Sequence, residues 1–87
     1  MNTNKSKMIR RLQIIEGQVR GLQEMVEKDT YCIDVITQSS AVKKGLSNVE
    51  DMLMGHHLSH CLIKQIKGGS SKKAIDEVLK VYKLKRK

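Results

Sequence analysis

Three features of this chain predict an all-α fold. Its 87 residues contain no proline and only six glycines, so little forces a helix to break. Apolar residues recur at steps of three and four rather than alternating, which is the period of a helix. Stop signals at Asp29-Thr30 and Gly68-Gly69 then divide the chain into three helices, the central one long.

The first helix is expected from about residue 5 to 28. Met8, Leu12, Ile15, Val19, Leu22 and Val26 form a heptad-like seam along it. Asp29 or Thr30 offers an N-cap for the second helix, expected from Tyr31 to Lys67. Val35, Val42, Leu46, Val49, Leu53 and His57 mark one stripe of that helix, with Met54, Leu58, Leu62 and Ile66 as a second row beside it. Met52 and Met54 carry thioethers, but a methionine on a helical stripe is far more often core filler. Gly45 and Gly55 weaken this helix by about 1 kcal/mol each relative to alanine without requiring a break. After Gly68-Gly69, Ser70 or Ser71 caps a third helix whose face is Ile75, Val78, Leu79 and Tyr82.

A chain of this length is read as one domain, residues 1–87. With no Phe or Trp and only two Tyr, it can bury little core alone, so a homo-oligomer is expected. No apolar run approaches the roughly 20 residues of a membrane span, and the start MNTNKSK lacks the apolar segment of a signal peptide. A cytoplasmic location without membrane partners is therefore expected, where two cysteines are thiols rather than a structural disulfide. The formal charge of +8 is uneven: residues 1–28 carry +3, residues 29–63 carry −2 and residues 64–87 carry +7. Basic ends of this kind point to a polyanion such as DNA.

The chemistry-bearing residues are Cys32, His57 and Cys61, the only two cysteines and one of three histidines. Two thiolates and an imidazole form a soft donor set, well suited to Cu(I) and acceptable to zinc. On an α-helix His57 and Cys61 share a face. Cys32, however, precedes His57 by 25 positions, about 37 Å along a continuous helix at 1.5 Å per residue, whereas metal–ligand bonds are about 2.0–2.3 Å long. Either the helix folds back near Gly45, or the ligands come from two antiparallel chains. The second option also covers the long apolar stripe, and symmetry gives two sites per dimer. His56 and His60, four apart on a neighbouring face, form a competing nitrogen-rich pair; they are expected to be solvated polar residues or outer partners of the site.

RRLQIIEGQVRGLQEMVE in the first helix, YCIDVITQSSAVK opening the second and HHLSHC late in it resemble the copper-sensing operon repressor family over nearly the whole chain. The Cys-x24-His-x3-Cys spacing is similar to that family's Cu(I) pattern. This resemblance implies a dimer of dimers built from antiparallel four-helix bundles. Each Cu(I) would be held trigonally by Cys32 of one protomer and by His57 and Cys61 of the other. It also implies that Tyr31 and Glu77 act as hydrogen-bonding partners behind the ligands. Nickel/cobalt and aldehyde sensors of the wider family use an N-terminal His and replace the last Cys. Persulfide sensors lack the His between the cysteines. The presence of both His57 and Cys61 therefore favours copper. Asn48 departs from the pattern, standing where relatives often have a DNA-contacting Arg.

A copper(I)-responsive repressor is thus expected, binding operator DNA when metal-free and releasing it on Cu(I) binding. Lys7, Arg10, Arg11, Arg20, Lys43 and Lys44 are its candidate DNA contacts. No helix-turn-helix spacing is visible, so a broad helical face reading DNA shape is expected. The alternative on the same fold is a persulfide- or oxidant-sensing thiol repressor using Cys32 and Cys61. A basic architectural protein with incidental cysteines is a third possibility. An enzyme is not expected, because the Cys–His pair has no third orienting group and no Gly-rich phosphate loop accompanies it.

Overall fold

The computed structural model describes residues 3–86. In chain order these form α1 (Thr3–Glu27), α2 (Cys32–His56), a π-helical turn (His57–Cys61), α3 (Leu62–Lys67) and α4 (Ser71–Arg86), with no strand among the described residues. The all-α expectation holds, and the three expected helical runs are present. The second run starts one residue later than expected and carries a π turn near its C-terminal end. Two compact units are distinguished, Met1–Leu53 and Met54–Lys87.

In the first unit the core is Met8 and Ile15 of α1 with Val42 and Val49 of α2, flanked by half-buried Leu22 and Met52. The heptad-like seam of α1 therefore splits in two. Met8, Ile15 and Leu22 face α2, while Leu12, Val19 and Val26 remain 43%, 41% and 63% exposed. Met52 packs as core filler, as expected of a helical methionine. α2 passes through Gly45 without a break, which removes the fold-back alternative there. Gly45 serves close packing instead: a Cβ at this position would lie 3.3 Å from Ile15 Cγ1 and Cδ1.

Both stops are built alike. Asp29 has φ 55° and Gly69 has φ 86°. At the first stop, Asp29 N–H donates to Val26 O and Thr30 N–H to Met25 O. At the second, Gly69 N–H donates to Ile66 O and Ser70 N–H to Gln65 O. These paired bonds around a left-handed residue form a Schellman motif, which satisfies carbonyls left over at a helix end. The expected N-cap at Asp29 or Thr30 is thus corrected. Asp29 is committed to the turn, and the Tyr31 carbonyl accepts from Asp34 and Val35 as α2 begins.

In the second unit α4 packs against α3. Ser70 precedes α4 as expected, its carbonyl accepting from Ala74 N–H at 3.0 Å. The expected apolar face of α4 is corrected, however. Ala74 is fully buried and Val78 and Val81 are half-buried, while Ile75, Leu79 and Tyr82 are 54%, 49% and 59% exposed. A small alanine permits close helix approach, so the packed row is 74, 78 and 81, and the bulkier row faces outward. Among the described residues no helix is long and apolar enough to cross a membrane.

Gly69→Ala should destabilise the chain by about 1–2 kcal/mol, the cost of a Cβ in the left-handed region. Urea unfolding measures this. No loss of stability would mean that the turn after α3 does not need the left-handed residue.

Candidate metal centre

Cys32 is the first residue of α2 and is exposed; Cys61 ends the π turn and is half-buried. Both are free thiols. His57, at the start of the π turn, is half-buried, and its ring nitrogens make no hydrogen bond among the described residues. Cys32 belongs to the first compact unit, and His57 and Cys61 to the second. Among the described residues no three His, Cys, Asp or Glu side chains are grouped as a metal site requires. The donor chemistry nevertheless fits Cu(I), which favours thiolate and imidazole over carboxylate.

The π turn coincides with the His57–Cys61 segment. Leu62 N–H donates to the His57 carbonyl, five residues back instead of four. Ser59 Oγ donates to the Gly55 carbonyl at 2.8 Å, and such back-bonding competes with the helix's own ladder and bends it. Gly55 is itself a weak helix former. A serine four residues after a glycine is thus a local cause of the looser winding. The angle between His57 and Cys61 taken from α-helical spacing does not carry over to this turn. Short π segments of this kind are frequent at functional sites.

Glu77 lies on the exposed side of α4, where its carboxylate Oε1 accepts from Gln65 Nε2 at 3.1 Å. Gln65 follows Cys61 by four residues and ties α3 to α4 across the Gly68-Gly69 turn. Its other amide atom, Oε1, is buried without a partner among the described residues. Sequence reasoning missed Gln65, because a contact twelve residues apart leaves no local periodic signal. Tyr31, immediately before Cys32, is 67% exposed.

The His56 and His60 rings lie 4.6 Å apart, centroid to centroid, tilted by 42°. The pKa of the His56 imidazole is lowered from its ordinary value, first by desolvation and further by nearby positive charge, that of His60 and His57 included.

All six candidate DNA-contacting residues lie in the first unit and are exposed: Lys7, Arg10, Arg11 and Arg20 on α1, Lys43 and Lys44 on α2. Lys7, Arg10 and Arg11 are three and four apart, so they share a helical face. Arg20 Nη1 lies 3.8 Å from Glu16 Oε1, with both side chains 68% exposed. A pair so exposed is worth little, which leaves Arg20 available to another anion. Asn48 is exposed as well.

The family model for metal-sensitive transcriptional repressors matches residues 4–83. The chain belongs to this family. Within it, the chain is 47% identical over 79 residues to the copper-sensing transcriptional repressor CsoR of Bacillus subtilis (strain 168), covering 91% of this chain and 78% of that protein. It is 48% identical over 65 residues to the copper-sensing transcriptional repressor RicR of Mycobacterium tuberculosis, covering 75% and 68%. A crystal structure of the copper-sensing repressor CsoR with Cu(I) from Geobacillus thermodenitrificans NG80-2 is similar with a TM-score of 0.87 and 39% identity, over 100% of this chain and 91% of that one. The expected membership of a copper-sensing repressor family is thereby met.

A double-mutant cycle of Gln65→Ala and Glu77→Ala should return a coupling of about 0.5–1.5 kcal/mol in urea unfolding, the usual net worth of one hydrogen bond. Additive effects would mean that the two side chains do not hold each other in solution.

Proposed function

We propose that this protein is a copper(I)-responsive transcriptional repressor that binds operator DNA when metal-free and releases it on binding Cu(I). The observation that carries this is the donor set Cys32, His57 and Cys61, all free, in a chain 47% and 48% identical to named copper-sensing repressors. These names favour copper sensing over the thiol-reactive alternative. The whole chain acts as one cytoplasmic regulatory domain rather than as a catalyst.

The metal site is shared between two antiparallel protomers, with Cys32 from one and His57 and Cys61 from the other. Support comes from the 25 positions that separate Cys32 from His57, with α2 unbroken from Cys32 to His56. It also comes from the apolar row Leu12, Val19, Val26, Leu46 and Leu53, each at least 40% exposed and in need of a cover. Two such dimers form the tetramer. Cu(I) supplies a bond strong enough to tie a thiolate of one protomer to a thiolate and an imidazole of the next. Both thiols must lose their protons and His57 must be neutral, so affinity falls as the solution is acidified.

Tyr31 and Glu77 turn occupancy into a change of state. A ligating imidazole donates its second N–H to an outer acceptor, and Glu77 on α4 serves as that acceptor. Taking this role draws Glu77 away from Gln65 and so couples the site to the packing of α4. The coupling is the difference in DNA affinity between two states, typically about 1–3 kcal/mol. Lys7, Arg10, Arg11, Arg20, Lys43 and Lys44 contact the DNA, chiefly its phosphates.

Anaerobic Cu(I) titration against a competing chelator, with fluorescence anisotropy on the gene's own upstream DNA, tests the proposal. One tight Cu(I) per protomer should coincide with release. Cys32→Ala should keep the DNA affinity of the metal-free protein and lose the copper-driven release; normal release by this variant would remove Cys32 from the site. Glu77→Ala should keep most of the copper affinity but weaken release. Lys43→Gln with Lys44→Gln should flatten the slope of log affinity against log salt by about 1.8, since each phosphate contact contributes roughly 0.9. An unchanged slope would take both lysines off the DNA.

A further inference from the structure

We infer that His56 and His60 form an accessory, solvent-facing site for a nitrogen-preferring divalent cation of the Zn(II) class, distinct from the thiol-containing site. The two imidazoles are already paired, with ring centroids 4.6 Å apart and planes tilted by 42°. Two zinc–nitrogen bonds of about 2.0–2.1 Å span at most about 4 Å between donor atoms. Small rotations of rings at this separation bring one nitrogen of each within that span.

The pair is also chemically free and reachable. Neither ring makes a hydrogen bond among the described residues, so each retains a nitrogen lone pair for a metal. His60 is exposed and His56 half-buried, which gives a hydrated ion direct access. His56 closes α2 and His60 lies within the π turn. The pair therefore sits where the helix changes its winding.

Ligand softness separates this pair from its neighbours. It contains no sulfur, so Cu(I) gains little there, whereas Zn(II), Ni(II) and Cu(II) bind imidazole well. Among the described residues no carboxylate or further imidazole completes a group of three. Water fills the remaining positions, and the site is consequently weaker than one with three protein ligands. Nothing in this inference depends on the copper-repressor proposal, since it uses neither cysteine.

The test is a titration with Zn(II) alone of the full-length chain carrying Cys32→Ser and Cys61→Ser, which removes the competing thiols. Calorimetry should give one Zn(II) per chain, and His60→Gln or His56→Gln should weaken that binding at least tenfold. Proton NMR of the same chain carrying Cys32→Ser and Cys61→Ser gives a readout that needs no histidine variant. The His56 and His60 ring resonances should shift together, at one Zn(II) per chain. Equal Zn(II) affinity in the glutamine variants, or ring shifts confined to His57, would overturn the inference. Stability to heat should be unchanged in the glutamine variants, because both positions are at least partly exposed.

Discussion

A bond of about 2.0–2.3 Å between metal and ligand sets the terms for everything else in this protein. The three soft donors stand on different parts of the chain: Cys32 opens α2, while His57 and Cys61 bound the π turn. Among the described residues no three His, Cys, Asp or Glu side chains form a group. On the proposed account a second protomer completes the donor set, and the apolar rows left exposed on α1 and α2 are what that protomer covers. Metal binding and assembly then become one problem, and the metal acts on how protomers are held together rather than on a pocket inside one of them.

Division of labour along the chain follows the same logic. The first compact unit carries Cys32 and all six candidate DNA contacts, and the second carries His57, Cys61 and Glu77. A shared site would join the surface proposed to bind DNA in one protomer to the α3–α4 pair of another. The Gln65–Glu77 hydrogen bond fits this arrangement, because it ties a carboxylate on α4 to the helix immediately after Cys61. A weak, exposed bond suits a switching element better than a buried one, since exchanging its partner costs little.

Much of this was legible in the sequence because it is periodic or local. Helical steps in α1 and α2, the stop at Gly68-Gly69 and the soft donor set all depend on residues within a few turns of each other. Packing direction was less legible. The row Met8, Ile15 and Leu22 cannot be told from Leu12, Val19 and Val26 by hydrophobicity alone, yet only the first faces α2. On α4 the buried row is centred on Ala74, whose small side chain gives a weak hydrophobic signal but allows the closest approach. In the sequence Gly45 is a weak helix former and a possible fold-back point, whereas the close approach of Ile15 that it permits is tertiary. The π turn left a trace, Ser59 four residues after Gly55, that is recognisable only once the backbone is known. The six candidate DNA contacts, the proposed roles of Tyr31 and Glu77 and the proposed assembly rest on charge and family likeness rather than on local pattern.

The sharing of one Cu(I) between protomers is tested most directly by mixing two defective chains. Cys32→Ala protomers keep His57 and Cys61, and Cys61→Ser protomers keep Cys32. Neither should bind Cu(I) tightly alone. In purified heterodimers, isolated through two different affinity tags, an antiparallel shared site rebuilds one complete donor set per dimer. Tight Cu(I) binding at half the unaltered stoichiometry is the expected result. No recovery of tight binding in the heterodimer would show that each chain must supply all three donors itself, and would contradict the account.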